Sequence, residues 1–130
     1  MALFSTRTDY ALILLVALAR QKDFWSLRLL AKDFHLPYRY VSRLAVSLKK
    51  AGYLKSREGI QGGYALAKSP RSIRVIDIIE LFEGEMAPTR CTKKNGYCPH
   101  EKDCCMRGNW VIMQKQLLNV LKHYTIADFK

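Results

Sequence analysis

Residues 26–52 read SLRLLAKDFHLPYRYVSRLAVSLKKAG, and the reading of this stretch decides the fold. Ser26 is suited to N-cap a short helix from Leu27 to Phe34, with Leu27, Leu30, Ala31 and Phe34 recurring on one face at the helical period. His35 and Leu36 then make the turn. Pro37 suits the first position of a second helix running to Ala51, with Tyr40, Val41, Leu44 and Leu48 facing inward and Gly52 as its stop. Two short helices joined by a tight turn predict a helix-turn-helix.

Away from that apolar stripe the second helix carries Tyr38, Arg39, Ser42, Arg43, Ser47, Lys49 and Lys50, donors that suit phosphates and base edges. Arg39 and Arg43, at i and i+4, share a face. Short polar groups and arginine in the N-terminal half are what a recognition helix needs, because its first turns reach the bases of the major groove. Ser26, Arg28 and Tyr40 complete the expected DNA-facing set around this helix. An ordinary solvated helix face has the same polarity, so the next segment decides between the two. Tyr53–Arg57 and Tyr64–Lys68 read as short strands around the glycine-rich tip Glu58, Gly59, Ile60, Gln61, Gly62 and Gly63. A hairpin directly after a helix-turn-helix is a wing. Gly62 and Gly63 permit positive φ and close approach of backbone to a sugar-phosphate chain or the minor groove, with Arg57 and Gln61 as side-chain contacts.

Charge points the same way. The chain has 130 residues and a net charge of +11, and residues 1–74 hold 14 Lys and Arg against 4 Asp and Glu. Residues 75–130 hold 8 against 7 and are close to neutral. A basic excess confined to one part marks a polyanion-facing module, with phosphate the usual partner, whereas a merely soluble basic surface needs no such asymmetry.

Outward from the helix-turn-helix, Thr6 and Asp9 have the spacing of a capping box, and Tyr10–Arg20 continues as an apolar helix with contacts on more than one side. The run Ala11–Ala19 is too short to span a bilayer, and no signal-peptide pattern precedes it, so a cytoplasmic protein with no membrane partner is expected. Ile73–Phe82 reads as a helix closing the core. Gly84–Tyr97 lacks periodicity, and from about Asp103 a long helix is expected to run to Tyr124. Its flank of Trp110, Val111, Met113, Gln116, Leu117, Val120, Leu121 and Tyr124 has no partner left in so small a domain, which predicts a homodimer, assisted by the first helix. The fold class is therefore mainly α with a small β-hairpin wing. Residues 1–84 form the winged helix-turn-helix, 85–106 a cysteine-rich loop, and 107–130 a dimerisation helix and tail.

All four cysteines fall in that loop: Cys91, Cys98, Cys104 and Cys105, spaced C-x6-C-x5-C-C. In a reducing cytosol clustered cysteines are more often metal ligands or redox sensors than disulfides. Soft thiolates are the usual ligands of iron–sulfur clusters, and the spacing is not the paired C-x2-C pattern of a zinc ribbon. Adjacent Cys104 and Cys105 seldom point the same way, so three protein thiolates and one other ligand are expected. Structural zinc and redox-active thiols stay open as alternatives. An enzyme is not expected: there is no C-x-x-C, no phosphate loop and no nucleophile with an evident base, and His35, His100 and His123 are scattered.

The order of helix, helix-turn-helix, wing ending in Gly62-Gly63-Tyr64, isoleucine-rich helix, three spaced cysteines and long helix resembles the Rrf2 family of winged-helix transcriptional regulators over essentially the whole chain. The resemblance implies a dimeric regulator, by expectation a repressor, whose operator binding is controlled by a [2Fe-2S] or [4Fe-4S] cluster sensing redox state, nitric oxide or iron supply. Cys91, Cys98 and Cys104 would be ligands and Cys105 an alternate thiol. In one branch of the family a histidine three residues after the last of these cysteines is the fourth ligand; here that position is Arg107, which cannot bind metal. In another branch an aspartate near the start of the first helix serves, and Thr8-Asp9-Tyr10-Ala11-Leu12 matches its motif, making Asp9 the preferred candidate, with His100 and Cys105 as competitors. The family's Arg-Gly before the glycine run is replaced by Glu58-Gly59, and Ser42 stands where one branch has a glutamate tied to choice of DNA site. Other family members lack a cluster and are controlled by thiol oxidation or a protein partner.

Overall fold

The first helix, α1 (Thr6–Ala19), is the hub of the computed structural model, which describes residues 1–130. Ala11, Leu14, Leu15, Ala17 and Leu18 on α1 are at most 2% exposed, because other elements surround it. The second helix of the helix-turn-helix, α3 (Tyr38–Lys50), packs on one side, and α4 (Val75–Glu83), the wing and a last helical turn, α6 (Ile126–Phe129), take others. The expected contacts on more than one side of α1 are all present.

The start of α1 differs from the expected capping box. Ser5 is the N-cap, its Oγ accepting from the Thr8 N–H at 3.4 Å. Glu83, distant in sequence at the end of α4, supplies the reciprocal carboxylate: its Oε1 accepts from Ser5 N–H at 2.7 Å and Thr8 Oγ1–H at 2.6 Å. Hydrogen bonds to Ser5 and Thr8 hold the Glu83 carboxyl down to about 2, below the usual carboxylate range. Thr8 is the one buried polar residue, and Glu83 satisfies its hydroxyl.

In the helix-turn-helix, α2 (Leu27–Asp33) leads through His35 at φ 53°, a left-handed turn residue, to Pro37. Pro37 is the N-cap of α3 rather than its first helical residue, and Gly52 at φ 87° follows the end of the helix. Val41, Leu44 and Leu48 are buried, as the apolar stripe predicts; Ala45 is buried beside them, and Tyr40 is half-buried. The wing pairs β1 (Leu54–Arg57) with β2 (Gly63–Leu66) antiparallel, Leu54 opposite Leu66 and Arg57 opposite Gly63. Trp25 adds a third edge, exchanging two 2.9 Å backbone hydrogen bonds with Tyr64.

After a helical turn at Pro70–Ser72, Ile73 is fully buried and α4 begins at Val75, not Ile73. The long helix α5 (Arg107–His123) begins at Arg107 rather than Asp103, and none of its residues is buried. Ile112, Met113 and Val120 are each at least half exposed along it. Beyond α5 the backbone returns to the core: Val75 N–H donates to Tyr124 O and Ile126 N–H to Ile73 O, both at 3.0 Å. Ile126 is fully buried in the cluster that holds Ala11, Leu14, Leu15 and Ile73. The segment expected to be a tail thus completes the core. No helix is long and apolar enough to cross a membrane.

Candidate nucleic-acid interface and cysteine loop

On α3 the side chains of Arg39 and Arg43 are exposed and have no carboxylate within ion-pairing distance, since the chain's ion pairs use Arg57, Arg74 and Arg107. Tyr38 is exposed at the helix start, with the Arg28 guanidinium 4.3 Å over its ring, which presents a stacked cation from α2 beside the first turn of α3. Ser42 Oγ donates to Arg39 O at 3.1 Å. Lys49 Nζ donates to Ser56 Oγ at 2.6 Å and so tethers α3 to the wing. Tyr40 turns toward the body of the domain, packing edge-on against Tyr10 at 5.6 Å. Ser26 caps the backbone of α2 by position and makes no side-chain capping bond.

The wing is braced from within. Arg57 lies 4.3 Å over the Phe24 ring, donates to Gln61 O at 3.0 Å and sits 3.7 Å from Asp23. Its guanidinium shapes the tip as well as charging it, and Gln61 and Glu58 stand exposed there. The glycines have internal reasons that the sequence did not disclose. A Cβ on Gly62 would overlap the Arg57 carbonyl oxygen, and one on Gly63, at φ 140°, would overlap the Trp25 carbonyl oxygen. Only glycine lets the hairpin turn this tightly and Trp25 pair with β2.

The cysteine loop leaves α4 at Gly84, φ 81°. Glu85 Oε1 accepts from Lys94 N–H at 2.6 Å, and Gly96 lies where a Cβ would overlap the Arg90 carbonyl oxygen. Thr89 caps a helical turn at Arg90–Thr92 and its Oγ1 lies 3.1 Å from Cys91 Sγ. Cys91, Cys98 and Cys104 are half-buried, Cys105 is exposed, and all four thiols are free. Cys105 lines a groove with Met106, Asn109, Trp110 and Met113. Arg107 pairs with Glu101 at 2.6 Å, while its buried Nε has no partner. Gln114 on α5 donates to Met86 O at 3.0 Å, fastening the loop to the helix.

For a metal centre, the donors fit in kind and number but not in arrangement. Soft free thiols are at hand, yet no three Cys, His, Asp or Glu side chains gather where they could hold a metal ion. The expected convergence of Cys91, Cys98 and Cys104 is therefore not found in the protomer as folded. Asp9 is exposed at the start of α1, lining a groove with Leu3, Phe4, Thr8 and Leu12 that contains no cysteine.

A helix-turn-helix with an arginine-bearing second helix and a braced hairpin beside it defines a winged-helix DNA-binding protein. Residues 4–130 match the family model Rrf2, described as iron-dependent transcriptional regulator, and the chain belongs to the Rrf2 family. The rrf2 protein of Nitratidesulfovibrio vulgaris is 31% identical over 126 residues, 95% of this chain and 84% of that protein. The regulator CymR of Bacillus subtilis is 29% identical over 126 residues, 95% of this chain and 86% of CymR. The solved structure of CymR, the global cysteine regulator of B. subtilis, matches with a TM-score of 0.78 at 27% identity, covering 99% of this chain and 96% of that one. The solved structure of T. potens IscR matches with a TM-score of 0.77 at 32% identity, covering 98% and 85%. The chain is a helix-turn-helix transcriptional regulator and not an enzyme.

Proposed function

We propose that the chain works as a homodimer that places two copies of α3 in successive major grooves of a partly palindromic operator, about 34 to 36 Å apart, and acts as a repressor in the cytoplasm. The observation that carries this reading is the row of unpaired Arg39 and Arg43 on the outer face of α3, next to a wing that projects Gln61. The half-exposed Ile112, Met113 and Val120 on α5 support self-association, because a helix with no buried residue has its apolar flank free for a second copy. Residues 1–84 read DNA, 85–106 sense, and 107–130 join the protomers while α6 completes the first unit's core. Replacing Arg39 or Arg43 by alanine tests the interface: an arginine that reads guanine costs roughly 1–3 kcal/mol and alters preference at one base, whereas one that holds a phosphate loses affinity uniformly across sequences.

The signal enters through the thiols. Control by an iron–sulfur cluster, [2Fe-2S] or [4Fe-4S], held by Cys91, Cys98 and Cys104 with Asp9 as fourth ligand and Cys105 as the alternate, is supported by four free soft donors on one short loop and by the family's description. The ungathered thiols favour a second reading, cluster-free control through thiol oxidation or a protein partner, and similarity to a global cysteine regulator gives it weight. Anaerobic purification followed by iron, sulfide and zinc analysis separates them. Matched iron and sulfide support the cluster; metal-free protein with a reducible link among its cysteines supports thiol control, and stoichiometric zinc refutes both.

A further inference from the structure

A cleft of about 680 Å³ lies not in the cysteine loop but beside the recognition helix. It is lined by Arg7 from the start of α1, by Tyr40, Arg43 and Leu44 from α3, and by Leu81 and Phe82 from α4. Neither Arg7 nor Arg43 belongs to any ion pair, although Arg57, Arg74 and Arg107 each find a carboxylate. No acid lines the cleft; the nearby Glu83 is engaged by Ser5 N–H and Thr8 Oγ1–H. Two guanidinium groups from separate elements, Arg7 only partly offset by the Glu83 carboxylate, line one cleft beside Leu44, Leu81 and Phe82 and make a receptor for a compact anion through charge-assisted hydrogen bonds. Arg43 stands one turn along α3 from Arg39, so the cleft continues the DNA-facing row sideways.

We infer that Arg7 and Arg43 clamp a backbone phosphate of the DNA strand flanking the recognition helix, with the sugar over Leu81 and Phe82, so that the start of α1 is part of the DNA interface. This inference rests on the DNA-binding reading above. A phosphate contact fixes register and carries no base preference, so its loss weakens binding uniformly across sequences. Binding of a mixed-sequence duplex by the full chain is measured by fluorescence anisotropy over a range of KCl concentrations, for wild type, Arg7→Gln, Arg7→Lys and the charge-matched control Lys115→Gln on α5. The slope of log affinity against log salt falls in magnitude by about 0.9 per bound protomer in Arg7→Gln, and Arg7→Lys and Lys115→Gln keep the wild-type slope. A wild type that shows no salt-dependent DNA binding overturns the regulator reading itself. A steep wild-type slope left unchanged by Arg7→Gln overturns the phosphate clamp alone. So does millimolar inorganic phosphate that raises the unfolding temperature of wild type but not of Arg7→Gln while the DNA slope stays the same, because the cleft then serves a free anion.

Discussion

Ile126→Ala is expected to destabilise the protein severely, although the residue follows the long helix in a segment the sequence reads as a tail. Ile126 is fully buried, and its backbone N–H bonds Ile73 O at 3.0 Å, so the side chain is held in place among α1 and Ile73. Truncation removes three carbons from a closed site, about 2.4 kcal/mol at ~0.8 kcal/mol per buried methylene. The cavity left behind raises the loss to about 3–4 kcal/mol if neighbours do not collapse. Phe129→Ala, at a residue 52% exposed, provides the control and costs about 1 kcal/mol or less. Urea unfolding followed by circular dichroism, at one fixed protomer concentration because subunit association contributes to stability, reads the difference as a lowered midpoint at constant slope. A loss for Ile126→Ala no larger than that for Phe129→Ala would refute the claim that α6 completes the core.

Other expectations follow from single contacts. Gly63→Ala lowers stability and disorders the wing, since φ 140° and the Trp25 carbonyl both oppose a Cβ; proteolysis within 58–63 and urea unfolding report it. Thr8→Val removes a hydroxyl that donates to Glu83 at 2.6 Å and costs about 1 kcal/mol in thermal unfolding, despite its matched shape. The Glu83 carboxyl, lowered to about 2 from its ordinary 4.5, stabilises the fold above the ordinary value and loses that contribution as pH falls through about 2. Because the carboxylate is solvent-screened, about 1 kcal/mol or less is at stake, and Glu83→Gln should flatten this part of the stability–pH curve. Phe24→Ala frees Arg57 from the ring 4.3 Å below it, loosening the wing and weakening DNA affinity with little effect on global stability.

The helix-turn-helix was legible because its punctuation is local. Pro37 and Gly52 bound α3 through their own backbone preferences, and the apolar spacing of Val41, Leu44 and Leu48 needs no distant partner to be read. What escaped was decided at long range. Thr6 and Asp9 have the right spacing for a cap, yet Glu83 reaches Ser5 and Thr8 from the end of α4 and moves the cap by one residue. Arg57 reads as a free DNA contact until Phe24 and Asp23 are brought beneath it. Ile126 carries no periodic signal in so short a segment, and only its bond to Ile73 reveals its place. The cysteines show the same limit: nearness in sequence predicts ligand chemistry, while convergence depends on the path of an aperiodic loop.

The backbone bridges joining 73–75 to 124–126 close residues 76–123 into a ring stitched at its base, and all four cysteines lie on that ring. A ring cut once does not fall apart. Cleavage at an exposed bond such as that between Lys93 and Lys94 yields two polypeptides, each still inserted in the common core, the shorter one by Ile126. The nicked molecule would migrate as two bands under denaturing conditions and as one species under native ones. Its cysteines would then be divided, Cys91 on one piece and Cys98, Cys104 and Cys105 on the other, in a molecule whose DNA-reading surface is still intact.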